Sequence, residues 1–234
     1  MARKQEEIMN RYKKQYFYIS LALMIITNRI LFMTTRLINQ GFIHHSMHTE
    51  IDNMIPFLPW TIIIYNGVYL WWLQAFWLIV KHGDANRFFA ANILAKAITF
   101  VSFVFYPTIM KRPSLGNTSL WNSLVRIQYM LDDPDNLFPS IHCVLGWFCW
   151  IGLRGKKDIA LPWRITAFFM AIAVCLSTLT VRQHVFLDVF AGIALSEACH
   201  GICKIQTMRQ MYDNFVHGII QHFPREANTW IGNL

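Results

Sequence analysis

Six apolar runs punctuate this chain, and they restrict its fold more than any other feature. They cover about residues 16–35, 57–80, 88–110, 140–153, 165–181 and 185–203. The first three reach the roughly 20 residues that a helix needs to cross a hydrocarbon core. In that solvent every backbone polar group needs an internal partner, so a span is either a helix or a strand of a closed barrel. Continuous runs of this length select the helix. The fourth and fifth runs are short, nearer a buried core helix by length alone. Polar motifs stand at their ends, so they read as helices that begin or end in a polar pocket. Composition agrees: 55% of residues are hydrophobic and 15% charged, where a soluble domain carries about 25% charged residues. The expectation is an all-α integral membrane protein, a six-transmembrane-helix bundle. A basic amino-terminal segment (1–15) precedes the membrane domain (16–203), and a tail (204–234) follows it.

Lysine and arginine are distributed unevenly between the two faces that six crossings would create. Fourteen fall on the side of the termini and five, Arg36, Lys111, Arg112, Arg126 and Arg182, on the other. Cytoplasmic loops carry the excess of these residues, so both termini are expected in the cytoplasm of a multi-pass protein of the cytoplasmic (plasma) membrane. The net charge of +8 is clustered between apolar runs, where anionic headgroups attract it. Nucleic acid is therefore not expected as a partner. Thr34-Thr35-Arg36 after the first run is no cleavage pattern, and that run reads as a retained anchor. Met208, Met211, Phe215, Ile219 and Phe223 recur at helical spacing in the tail, as in a helix lying on the membrane or packed on a partner chain. Cys143, Cys149, Cys175, Cys199 and Cys203 are odd in number and all apolar in setting, so neither a disulfide framework nor a zinc site is expected.

Chemistry-bearing residues gather at the ends of three runs, all on the extracytoplasmic side. His184 and Asp188 are four apart, hence on one helix face. A carboxylate there can accept a proton from one ring nitrogen and leave the other as a nucleophile, the orienting logic of a catalytic triad. Pro139, Ser140 and His142 open the fourth run, where a helix amino terminus binds anions and a histidine can protonate a leaving group. Arg112 offers a planar fork to phosphate oxygens, and Arg182 and Ser177 stand near the second histidine. Two histidines, a carboxylate and several phosphate ligands form the kit for phosphoryl transfer through a phosphohistidine, and the apolar setting points to a lipid ester.

Arg112-Pro113, the phrase Asn136-Leu137-Phe138-Pro139-Ser140-Ile141-His142, and Ser177 to Asp188 resemble the type 2 phosphatidic acid phosphatase superfamily. Val189-Phe190-Ala191-Gly192 is similar to that family's run after its aspartate. Asp52-x-x-Ile55-Pro56-Phe57-x-Pro59 resembles a branch that includes inositol phosphorylceramide synthase-like proteins. The resemblance implies a six-helix fold, a phosphohistidine intermediate, no cofactor and no metal. It implies His184 as nucleophile, Asp188 as its orienting acid and His142 as general acid, with Arg112, Ser140 and Ser177 lining or flanking the phosphate pocket.

This chain departs from the family's pattern at its cations. Phe105 and Thr178 stand where the family carries a lysine and an arginine, and Arg182 is the expected stand-in. The reading that follows is a phosphatase acting on a lipid phosphomonoester or pyrophosphate. A headgroup phosphotransferase and a non-catalytic binding or transport protein are the alternatives. Two further expectations concern side roles. Lys96 and Glu197, at similar depth, are expected either to pair or to reach the inner interface separately. His44, His45 and His48 resemble a metal cluster but lack a convincing fourth ligand.

Overall fold

A computed structural model describes residues 2–81, 85–116 and 119–222, with side chains from residue 12 onward. The described helices are α1 (Ala2–Ile38), α2 (Glu50–Met54), α3 (Ile62–Lys81), α4 (Ala85–Phe105), α5 (Leu120–Leu131), α6 (Ile141–Leu153), α7 (Leu161–Thr180), α8 (Phe186–Ile202) and α9 (Gln206–His222). Among the described residues there is no strand. Two isolated bridges, His45 to Thr108 and Ile109 to Asp135, tie the loops that follow α1, α4 and α5.

Among the described residues, four helical stretches are long and apolar enough to cross a membrane: Tyr12–Ile38, Pro59–Lys81, Ala85–Phe105 and Leu161–Thr180. The pair α8 and α9 gives a fifth if counted as one span, although it bends by 91°. The protein is therefore a multi-pass membrane protein whose described residues are helical, with four to five candidate spans among them, where the apolar runs suggest six. The difference lies mainly in α6. Its 13 residues rise only about 20 Å, short of a hydrocarbon core about 30 Å thick. It is packed against α3, α4, α7 and α8, so its uniformly apolar sequence reflects burial at the centre of the bundle. Lipid-facing surface is carried by the longer helices, for example Ile26, Ile30 and Leu37 of α1 and Leu70 and Trp77 of α3, all exposed.

The third run reads as continuing to residue 110, but α4 ends at Phe105. Pro107 disfavours helix at the residue before it, and the chain then turns extended. Thr108 Oγ1 accepts from the Leu137 N–H at 2.8 Å and the Phe138 N–H at 3.1 Å, drawing this stretch onto the loop before α6. Helix α5 is an element that the apolar runs do not announce. Ser119 caps it, its hydroxyl accepting from the Asn122 N–H at 3.0 Å.

Polar ties mark the two ends of the bundle. At one, Asp213 of α9 accepts from Tyr16 Oη of α1 at 2.8 Å and Asn86 Nδ2 of α4 at 2.9 Å. Tyr212 and Val216 are buried against that end while Met211 and Phe215 are exposed; Phe223 and Arg225 lie outside the described residues. At the other, Asn39 Nδ2 donates to the Phe103 carbonyl at 2.8 Å and to Asn136 Oδ1 at 2.6 Å.

The Lys96–Glu197 pair does not form. Lys96 Nζ donates to the Met24 carbonyl of α1, because its face of α4 packs on α1. Glu197 faces α6, where it accepts from Trp147 Nε1 at 2.8 Å and forms a two-pronged bridge to Arg154 at 2.5 Å. The three loop histidines go separate ways: His44 Nδ1 meets the Phe42 carbonyl, His48 Nε2 meets Asn53 Oδ1, and His45 stacks on Tyr106. All five cysteines are buried and free of disulfides.

Candidate active site

The corner between α7 and α8 builds the first half of the site. Helix α7 ends by turning its last carbonyls onto the loop: the Thr178 carbonyl accepts from both the Gln183 N–H at 3.0 Å and the His184 N–H at 3.2 Å. Unpaired carbonyls at a helix end need such partners. Arg182 sits in this corner with a φ of 54°, a left-handed conformation that costs a non-glycine residue free energy. Its guanidinium offsets that cost by reaching the segment before α3, donating to the Asp52 carbonyl at 2.8 Å and the Ile55 carbonyl at 2.5 Å. The Asp52 side chain returns the tie, accepting from the Phe186 N–H at 2.7 Å at the start of α8. The stretch Asp52–Pro59 thus clamps the corner from outside.

Held by that corner, His184 is 8% exposed and Asp188 fully buried. His184 Nδ1 lies 3.3 Å from Asp188 Oδ2, and the same oxygen accepts from the Val185 N–H at 3.0 Å. That leaves His184 Nε2 free of the pair. Burial opposes a charged ring at His184, but the hydrogen bond and charge of Asp188 outweigh it and hold this group above the ordinary histidine value.

The start of α6 supplies the second half. Ser140 is its cap, Oγ accepting from the Cys143 N–H at 3.3 Å, and Pro139 precedes the cap rather than entering the first turn. The Ser140 N–H donates to the Asp188 carbonyl at 3.1 Å, which stitches α6 to α8. One residue into α6, His142 faces His184 with ring centroids 6.3 Å apart. Two tyrosines one turn apart on α3 hold the His142 ring. Tyr65 stacks on it at 4.0 Å, and Tyr69 Oη lies 3.2 Å from its Nε2. Sequence reasoning missed both tyrosines; their only signal is a spacing of four near one end of an apolar run.

Arg112 lies seven residues beyond α4, not at its end. The guanidinium is fixed by the last turn of α5, donating to the carbonyls of Tyr129 at 3.2 Å and Asp132 at 2.6 Å. It also lies over the Tyr129 ring, at 4.3 Å from the centroid. A cation is favoured at that end of a helix. Its other terminal nitrogen donates to Gln183 Oε1 at 2.6 Å, which joins Arg112 to the loop that carries His184. Ser177 is buried one turn back in α7, its hydroxyl donating to the Val174 carbonyl at 2.7 Å. The structure therefore brings His142, His184, Asp188 and Ser140 together, links Arg112 through Gln183, and engages Arg182 and Ser177 with backbone carbonyls.

The approach of α8 to α6 depends on Gly192. A side-chain carbon there would lie 2.9 Å from the Ser140 carbonyl and 3.1 Å from Cys143 Cβ. Gly192→Ala is expected to cost about 1–3 kcal/mol, as overpacking does. It would also part His142 from His184, so turnover should fall at least tenfold in protein that still folds; an unchanged rate would count against the coupling of these two helices to the site.

A family model described as the PAP2 superfamily matches residues 66–212. No curated protein and no solved structure matches the chain. The family match runs from α3 into α9 and contains Arg112, His142, His184 and Asp188. It covers more than half of the chain, which belongs to the PAP2 superfamily.

Proposed function

We propose that this protein is a membrane lipid phosphate phosphatase that cleaves a phosphomonoester or pyrophosphate of a lipid through a phosphohistidine, without a metal. Membership of the PAP2 superfamily supports a phosphatase or phosphotransferase type of function. The observation that carries the finer reading is His184 held by buried Asp188 at 3.3 Å, with His142 across from it. In the first step His184 Nε2 attacks phosphorus in line and the bond from phosphorus to the lipid oxygen breaks. His142 gives that oxygen its proton. In the second step His142 takes a proton from water, the water oxygen bonds to phosphorus, and the phosphorus–nitrogen bond breaks. Arg112, Ser140 and the free N–H groups at the start of α6 would stabilise the equatorial oxygens, where such transfers draw most of their catalysis. Arg182 and Ser177, expected around the phosphate, would serve by fixing the corner that carries His184.

The site is proposed to face the extracytoplasmic side, with both termini cytoplasmic. The uneven lysine and arginine count supports this, and α9 packs at the end of the bundle opposite the site. A headgroup phosphotransferase is the second reading, favoured by the Tyr65 and Tyr69 rings against His142, which would offer an acceptor lipid an aromatic surface beside the base. In either case, an alkaline detergent quench of a reaction with a phosphate-labelled lipid should leave an acid-labile, base-stable label on the wild-type protein and none on His184→Ala. Turnover without any such label would contradict a covalent intermediate. Free phosphate as product indicates hydrolysis, and label passed to a lipid or polyol hydroxyl indicates transfer.

A further inference from the structure

Gln183 is 1% exposed, and its carboxamide is half satisfied. Arginine can only donate hydrogen bonds, so the atom that meets Arg112 at 2.6 Å must be the oxygen, Oε1. This fixes which way round the amide lies, and it leaves the NH2 group on the other side. That Nε2 is buried with no hydrogen-bond partner, and so is Nε of Arg112. Buried donors without acceptors are rare and costly, about 1–3 kcal/mol each. Two of them lie on a joined pair of side chains, in the residue next to His184 and in the guanidinium tied to it, and an acceptor from outside the chain would satisfy them. A third buried donor without a partner, Tyr65 Oη, belongs to the ring stacked on His142.

We propose that Gln183 is a phosphate ligand: its NH2 group, held in place by Arg112, donates to a non-bridging oxygen of the substrate's phosphate. The proposal deepens the reading of this site as one for phosphate esters and rests on it. Two positions that lack a cation, Phe105 and Thr178, support it. Phe105 is 81% exposed, and Thr178 is fully buried with its hydroxyl donating to the Cys175 carbonyl at 2.7 Å. Neither supplies a donor to the phosphate. Gln183 supplies one without adding charge, so the cradle holds its ligand by a single fixed guanidinium and neutral groups. The Gln183 amide and the Arg112 guanidinium are withdrawn from solvent, where salt screens interactions much less than at the surface, so phosphate binding should weaken only modestly as salt rises.

The test is binding of inorganic phosphate to the full-length, detergent-purified protein by calorimetry, alongside kcat and KM on a lipid phosphate. Gln183→Glu keeps the oxygen that Arg112 needs, has the same shape and removes the donor. It is expected to weaken phosphate binding at least tenfold and to raise KM, with the thermal unfolding of the protein little changed. Gln183→Met, of similar volume and without polar atoms, serves if the glutamate variant does not fold. Phosphate bound as tightly by a folded variant as by wild type overturns the proposal, as does wild-type protein that turns over lipid phosphate without binding phosphate through this residue. Wild-type protein that binds phosphate in a Gln183-dependent way but cleaves no lipid ester would instead overturn the phosphatase reading and leave the ligand assignment standing.

Discussion

His184→Ala is expected to abolish turnover, with a loss on the order of 10⁴- to 10⁶-fold, as for removal of a nucleophile whose partners act as a unit. The reason is chemical, since among the described residues no other side chain presents a nitrogen lone pair opposite His142 with a carboxylate behind it. The fold should survive the change. The His184 backbone N–H still donates to the Thr178 carbonyl, and Arg182 still ties the corner to Asp52 and Ile55. Circular dichroism and size exclusion check the fold while phosphate release checks the rate. Wild-type turnover in the folded variant would remove His184 from the mechanism.

Asp188→Asn is expected to slow turnover by about 10⁴-fold, the loss seen when the orienting carboxylate of a triad becomes an amide. The asparagine oxygen can still accept from the Val185 N–H, so the first turn of α8 should persist. What it loses is the charge that fixes the His184 tautomer. The pH profile separates this from a packing defect. Burial lowers the His184 affinity for a proton, while the Asp188 hydrogen bond and charge, with a contribution from Asp132, raise it further than burial lowers it. A protonated ring has no lone pair for attack, so the wild-type rate should fall as pH drops through this raised value. Without the Asp188 charge the value drops, and the acid limb of kcat/KM should move to lower pH even though the plateau is lower. An acid limb that stays in place would mean that another group controls it.

Much of this arrangement was legible in the sequence, and what was not has identifiable causes. The apolar runs marked most of the helices, because a chain in lipid must hide its backbone, and the spacing of four marked His184 and Asp188 as a pair, although His184 stands in the loop before α8 and only Asp188 on the helix. Apolar length could not separate α6, buried inside the bundle, from a helix that crosses lipid, since both read as uninterrupted hydrophobics. Side-chain partners across helices were less accessible still. Lys96 and Glu197 stand at similar depth, but depth does not fix rotation, and α4 turns Lys96 to α1 while α8 turns Glu197 to α6. Arg182 was expected to reach for phosphate. Its left-handed backbone and its bonds to Asp52 and Ile55 depend on a segment about 130 residues away. Gln183 carries no charge and no motif, so only its half-satisfied amide singles it out.

Release of inorganic phosphate from a panel of lipid phosphates by the detergent-purified protein, with EDTA present and His184→Ala in parallel, tests the central claim most directly. The expected result is release from at least one lipid by wild-type protein, undiminished by EDTA and absent in the variant. Release that requires a divalent metal, or that persists in His184→Ala, would contradict a metal-independent reaction through that histidine.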